Sequence, residues 1–212
     1  IFCFQFFKQF NIAGVVFSVC ILVTVPVIIK ALEKKGYIRV YDIITERNPF
    51  LKEVDKTDSK PELTLEQKAA KRVIDGYIEK NQYKNILLHG VTGSGKTEVY
   101  MAAIEKCLSI GKTAIMLVPE ISLTPQMVMR FRKRFGSDIA VFHSGLSLGK
   151  RYDEWKKMRD GKVSVVIGAR SAIFAPLKNI GIIIIDEEHE GTYKSDMTPR
   201  YNTKEVANYR AQ

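Results

Sequence analysis

The stretch "LLHGVTGSGKTEVY", Leu87 to Tyr100, constrains this chain more than any other. An apolar run, "NILLH" (Asn85 to His89), enters a loop of small residues, and a segment of helical character leaves it from Lys96. A strand that ends in a glycine loop and restarts as a helix turns its backbone N–H groups toward an anion. The helix adds the positive end of its dipole. Gly90 to Thr97 fits G-x-x-x-x-G-K-[ST] in full, between the predicted strand and helix that this pattern requires. Gly90, Val91, Thr92, Gly93, Ser94, Gly95, Lys96 and Thr97 are therefore the expected ATP-binding residues. Lys96 would reach the β- and γ-phosphates, and Thr97 would offer its hydroxyl to Mg²⁺.

A second motif lies downstream. In "IIIIDEEHE", four isoleucines, Ile182 to Ile185, bury a strand and fix the position of its tip, where Asp186 stands. A carboxylate there completes the Mg²⁺ shell. Glu187, one position on, is placed to polarise the attacking water as a general base. Asp186, Glu187, Glu188 and Glu190 crowd around His189 and would repel one another without a cation among them. The predicted catalytic set is Lys96, Asp186 and Glu187, with Thr97 and Asp186 on the metal.

Between and around these motifs, helices and strands alternate. Helices are expected at about Leu65–Lys80, Lys96–Ile110, Pro125–Phe135 and Leu148–Arg159. The strands "NILLH", "TAIMLV", "IAVF", "VSVVIG" and "GIIIIDEE" are continuous apolar runs, as expected of parallel strands covered on both faces. That pattern predicts an open α/β domain with ligands at the carboxyl ends of its strands. Thr64 and Gln67 fit the T-x-x-Q capping box that starts a helix. Gln67 is also a candidate for the adenine edge, and the two roles are compatible.

The remaining composition sets the partners. The formal charge of +10 over 212 residues suits a polyanion, with a generally basic enzyme as the plain alternative. Cys3, Cys20 and Cys107 form no CxxC pair, which predicts reduced thiols, no zinc site of this chain's own and a cytoplasmic protein. Residues 1–44 are expected to hold an apolar segment and part of a small module, 45–62 a polar linker with Pro49 and Pro61, and 63–212 the nucleotide-binding domain. Asn11–Lys30 has the length of a membrane span, but Pro26 interrupts it and β-branched residues dominate it. It runs on into "IKALEKKGYIRVYD", which reads as a helix end, a stop at Gly36 and a strand from Tyr37 to Tyr41.

Asp186-Glu187-Glu188-His189 resembles the DExH form of the second helicase motif, which with the glycine loop implies the first of two RecA-like lobes. Gln67 then matches the glutamine that precedes the glycine loop in many such enzymes. "LVPEISLTPQ", "HSGLS", "GARSAIFAP" and "DEEHEGTYKSDMTPRYNTKEVA" resemble the family of primosomal protein N′, the replication-restart helicases, over about Ala31 to Gln212. The resemblance implies ATP-driven 3′ to 5′ movement on single-stranded DNA, work at stalled forks, and partners among the other primosome proteins and single-stranded DNA-binding protein, with no membrane role. It also implies a zinc site whose cysteines lie outside this chain, and a partial winged-helix module before the linker. The apolar Ile1–Val25 departs from that module, as an out-of-frame or incomplete upstream sequence would.

The same resemblance marks a track for DNA. Pro119, Glu120 and Thr124 belong to a strand-end loop that contacts the DNA backbone in this class, although Thr124 and Pro125 equally suit a capped turn. His143, Ser144, Arg170 and Ser171 end two further strands and would meet phosphates. Tyr193, Lys194, Arg200 and Tyr201 mix aromatic and cationic groups, as single-strand binding loops do, ahead of an N-x-x-E cap at Asn202 and Glu205. The chain is expected to be part of a longer protein that supplies the second lobe, and to hydrolyse ATP poorly alone. Other readings are a DExH translocase on RNA or in repair or restriction, a truncated product that only binds nucleic acid, and a membrane-anchored NTPase.

Overall fold

The computed structural model describes residues 27–37, 39, 61–91 and 93–212. The chain divides into two units, Ile1–Thr45 and Glu46–Gln212. In the first, residues 27–34 form helix α1. Its last turn closes with Gly36 N donating to Glu33 O (2.9 Å) and Tyr37 N to Leu32 O (3.1 Å), the paired bonds of a Schellman end. Of the strand predicted over Tyr37–Tyr41, only Tyr37 and Arg39 are described, and neither is in a strand. The apolar segment before residue 27 and nearly all of the 45–62 linker lie outside the described residues. Among the described residues no helix is long and apolar enough to cross a membrane.

The second unit is built on four parallel strands: β1 (Thr113–Leu117), β2 (Ile139–Phe142), β3 (Val165–Gly168) and β4 (Ile180–Ile185). Their order is β2-β3-β1-β4. β1 lies between β3 and β4, with Met116 opposite Ile167 on one side and Ile184 on the other. Five helices accompany the sheet: α2 (Leu65–Glu79), α3 (Lys96–Ser109), α4 (Pro125–Phe135), α5 (Leu148–Arg159) and α6 (Thr203–Ala211). This is the α/β, RecA-like arrangement expected, a parallel sheet flanked by helices.

The period of two along β1 separates the two cores. Ala114, Met116 and Val118 pack with Tyr100, Met101 and Ile104 of α3 and Phe131 and Phe135 of α4. Ile115 and Leu117 face the other way, onto Met158 of α5, Ala207 of α6 and the buried Ile173. Helix α2 packs chiefly on α3, with Ile74 and Ile78 against Val99, Ala103 and Cys107 and with Ile182 of β4 at the margin. The helices start where the sequence said, since Thr64, Thr124 and Ser147 each accept from a backbone N–H three residues on.

One predicted strand is not formed. Residues 85–89 belong to no ladder; Leu88 reaches the core, while Ile86 and Leu87 are exposed. Apolar β-formers make a strand only where a neighbouring strand completes their hydrogen bonds. Among the described residues β4 ends the four-stranded sheet, its one ladder is with β1, and residues 85–89 complete none with it.

Charged groups drawn into the fold were not anticipated. Glu98 on α3 is buried and meets Arg130 of α4, with Arg134 Nη1 4.0 Å away. Arg134 also grips Glu105 through Nε (2.6 Å) and Nη2 (3.2 Å), so three ion pairs join α3 to α4. On the opposite face, Arg210 of α6 donates to Ile173 O and, at 3.0 Å, to Ala175 O, ending the 3-10 turn after β3.

Candidate nucleotide and nucleic-acid site

All four strands are parallel, so their carboxyl ends share one edge, and every predicted functional loop leaves from it or abuts it. The glycine loop is built by two left-handed residues, Gly93 (φ 82°) and Gly95 (φ 81°), a region that L side chains rarely enter. A Cβ on Gly95 would also collide with the Gln67 amide. Lys96 donates to Gly90 O (2.6 Å) and Val91 O (3.2 Å), so its ammonium sits inside the curl of the loop. Thr97 occupies the first turn of α3. Thr92 lies outside the described residues.

Gln67 fills its capping role. Its Oε1 accepts from Thr64 N (3.0 Å) while Gln67 N donates to Thr64 Oγ1 (3.3 Å), the full capping box. Its Nε2 donates to Ser94 O at 3.0 Å. The amide that caps α2 thus also ties that helix to the glycine loop, 27 residues away in sequence.

Asp186 stands one residue beyond β4, and its N–H donates to Leu117 O (2.9 Å), continuing the ladder. Tyr100 Oη donates to Asp186 Oδ1 at 3.3 Å. Tyr100 follows Lys96 by one helical turn, so α3 presents the ammonium and the phenol on one face. Burial, then the neighbouring Glu187 carboxylate, holds Asp186 above the usual aspartate range; Lys96 is among the groups that pull it back. Glu187 has a left-handed backbone (φ 47°), a conformation that costs about 1–3 kcal/mol in a non-glycine residue. His189 Nε2 is 3.8 Å from Glu187 Oε2, and Glu188 is paired with Lys204. A desolvated carboxylate disfavoured as an anion, beside a lysine held in a phosphate-shaped loop, is a donor set that suits a Mg²⁺–nucleotide.

The predicted DNA residues fall into connected groups. Ser144, after β2, donates to Glu120, after β1. Thr124 caps α4 by accepting from Met127 N (3.3 Å), and Pro119 is buried, while Glu120, Ile121 and Thr124 are exposed. His143 is half-buried against Gly145. At the end of β3, Gly168 allows a close approach, because a Cβ there would collide with Phe142 O and come within 2.7 Å of Ala172 Cβ. Arg170 follows and donates to Lys194 O (2.6 Å) and Thr192 O (3.3 Å).

Lys194 and Ser195 (β5) pair antiparallel with Tyr201 and Asn202 (β6), leaving Lys194 and Arg200 exposed and Tyr201 half-buried. Tyr193 differs from its neighbours. It is 2 % exposed, and its phenol donates to Asp186 O (2.6 Å), with Leu117 O at 3.2 Å. Burial and the Asp186 charge push that phenol up from its ordinary range. Its ring is core, so its geometry supports the Asp186 tip and offers no face to a base. Its place in an otherwise exposed polar stretch gave no sign of this. Tyr100 was legible in principle, as the residue one turn after Lys96.

The comparisons agree with this geometry. The model of the DEAD/DEAH box helicase family matches residues 66–207. The chain is 55% identical over 183 residues to the replication restart protein PriA of Bacillus subtilis, covering 86% of this chain and 22% of that protein. It is 46% identical over 188 residues to that of Synechocystis, covering 87% and 22% respectively. It is 42% identical over 187 residues to that of Chlamydia muridarum, covering 85% and 24%. The chain therefore spans about a quarter or less of the length of these relatives. With a glycine loop, a half-buried aspartate and three strand-end loops on one sheet edge, the chain belongs to the DEAD/DEAH box helicase family.

Proposed function

We propose that this segment is the nucleotide-hydrolysing lobe of an ATP-driven DNA helicase of replication restart, one that moves 3′ to 5′ on single-stranded DNA and acts at stalled forks. ATP binds with its phosphates in the curl of residues 90–97, and Lys96 exchanges the carbonyls of Gly90 and Val91 for phosphate oxygens. Mg²⁺, when bound by Thr97 and Asp186, offsets charge on the phosphates and on Asp186. Glu187 orients and deprotonates the attacking water. The DNA backbone runs past Glu120, Thr124, His143, Ser144, Arg170, Ser171, Lys194 and Arg200, and Tyr201 lies along the same path.

The observation that carries this reading is the short mechanical path between the two sites. Arg170 grips the carbonyls of Thr192 and Lys194, and Tyr193 between them donates to Asp186 O. A strand that shifts Arg170 or the 191–202 segment therefore moves the backbone that holds Asp186 and Glu187. Other primosome proteins and single-stranded DNA-binding protein are the proposed partners of the intact protein, and its site of action is the cytoplasm.

The test uses the full-length protein that contains this segment, with partial duplexes carrying a 3′ or a 5′ single-stranded tail, and RNA of matching sequence. ATP-dependent unwinding of the duplex whose tail permits 3′ to 5′ entry, and ATPase stimulation by DNA above RNA, are expected. Equal stimulation by RNA, or unwinding with the opposite polarity, overturns the proposal.

A further inference from the structure

Beside the predicted track, a cavity of about 250 Å³ opens between the ends of β2 and β3 and the face of α5. Phe142, the indole of Trp155 and Phe174 line it, with Arg151 and Ser171 contributing polar groups and the buried Met158 also in its wall. Below the roughly 300–1,000 Å³ of pockets for drug-sized ligands, it has room for one flat heterocycle.

The rings are held in place by their neighbours. Arg151 lies 5.3 Å from the centroid of Phe142, and Arg159 lies 5.0 Å from that of Trp155. Tyr152 stacks on Trp155 at 6.5 Å and 24°, and Tyr201 meets Phe174 edge-on at 5.0 Å and 75°. Yet Phe174 remains 54% exposed and Trp155 36%. Apolar faces so fixed and so wet gain free energy when a flat group covers them.

The charge around the cavity selects the kind of group. Helix α5 carries Lys150, Arg151, Lys156, Lys157 and Arg159 against Asp153 and Glu154. Glu154 is buried and paired with Lys157 (2.9 Å), and Asp160 accepts from Arg159 (3.0 Å). The cationic helix therefore favours an aromatic group that arrives with negative charge attached, which describes a nucleobase on its phosphodiester chain. Ser171 adjoins Arg170, so a strand at the end of β3 passes the mouth of the cavity.

We propose that this cavity takes one unstacked base of the single strand, stacked against Phe174 and Trp155 with Arg151 at its edge. This rests on the nucleic-acid reading above and adds to it a base-binding subsite, where the strand-end loops address only the backbone. Such a subsite would act as a register point, holding one nucleotide while the backbone contacts shift.

Trp155 is the chain's one tryptophan, so its fluorescence reports the cavity directly. The 212-residue chain is titrated with a fluorescently labelled thymidine oligonucleotide and with an abasic strand of the same length. Anisotropy of the label reads binding, and Trp155 emission reads the cavity. The thymidine strand should quench Trp155 to saturation, while the abasic strand binds without quenching. Phe174→Ala should weaken thymidine-strand binding by about fivefold or more and leave abasic-strand binding unchanged. Phe174→Leu, which keeps the apolar volume and loses the ring, should do the same if Phe174→Ala folds poorly. Equal quenching by both strands, or equal weakening of both, overturns the subsite and leaves the nucleic-acid reading in place. Quenching by an acidic peptide carrying a phenylalanine, with none by the thymidine strand, overturns it in favour of a protein partner. No anisotropy change with either strand removes the nucleic-acid reading as well.

Discussion

The phenol of Tyr193 donates to the backbone carbonyl of Asp186 at 2.6 Å, from a ring that is 2% exposed. Removing the hydroxyl while keeping the ring leaves two strand-tip carbonyls, of Asp186 and Leu117, without that donor. Tyr193→Phe should cost about 1–3 kcal/mol in urea unfolding of this chain. In the full-length protein it should lower DNA stimulation of the ATPase while leaving DNA affinity within about twofold, a difference of under about 0.5 kcal/mol. Unchanged stimulation would show that the Tyr193 bond only holds the fold.

Gln67 joins a helix cap to the glycine loop, and two substitutions separate these functions. Thr64→Ala removes the cap hydroxyl and should cost about 1 kcal/mol of stability with little effect on nucleotide affinity. Gln67→Ala also removes the bond to Ser94 O, so it should weaken binding of a fluorescent ATP analogue as well. Equal nucleotide affinities for the two variants would confine Gln67 to capping.

The sign of the Asp186 shift gives a pH prediction. Its pKa in the fold is raised above the ordinary 3.8 of an aspartate, chiefly by burial and then by Glu187. The group's contribution to stability is therefore fully present below about pH 3.8 and lost as pH rises through the raised value. At pH 7, without nucleotide or metal, the native chain carries the cost of a half-buried anion. Asp186→Asn should then raise the melting temperature at pH 7, and the gain should shrink toward pH 3.8. Mg²⁺ with a nucleotide should stabilise the wild-type chain and not the variant. A variant that melts below wild type at pH 7 contradicts this account.

Arg134 is 12% exposed and bridges Glu98 and Glu105 of α3. Arg134→Ala removes one of the two arginines at the buried Glu98 and the fork that holds Glu105. The loss should be about 3 kcal/mol, read by chemical denaturation, because stranding a buried carboxylate costs more than the pair itself contributes. The double variant Arg134→Ala with Glu105→Ala should recover part of it. No recovery would place the loss in packing of the arginine stem.

What the amino-acid order determined by itself was local. Gly93, Gly95, Lys96 and Thr97 specify a loop and helix start through short-range sterics and N–H geometry. Thr64, Thr124 and Ser147 mark helix starts because a cap needs only its own first turn. The isoleucines before Asp186 announce a covered strand. Four parallel strands then follow from continuous apolar runs joined by helices, and with them the shared edge where the loops meet.

Only the tertiary structure decided what depends on neighbours distant in sequence. Residues 85–89 have a strand's composition, yet a strand needs a partner's ladder and they have none. Tyr193 and Tyr201 stand eight positions apart in one polar stretch, and the fold buries the first under Asp186 while setting the second edge-on to Phe174. Glu98 is buried because α4 brings two arginines to it, a contact that its own helix does not encode. The cavity around Trp155 draws on three segments, β2, α5 and the turn after β3, and the motif "GARSAIFAP" in that turn gave no sign that its Phe174 would meet Trp155. Burial and pairing are properties of these long-range contacts, and a reading of spacing has no access to them.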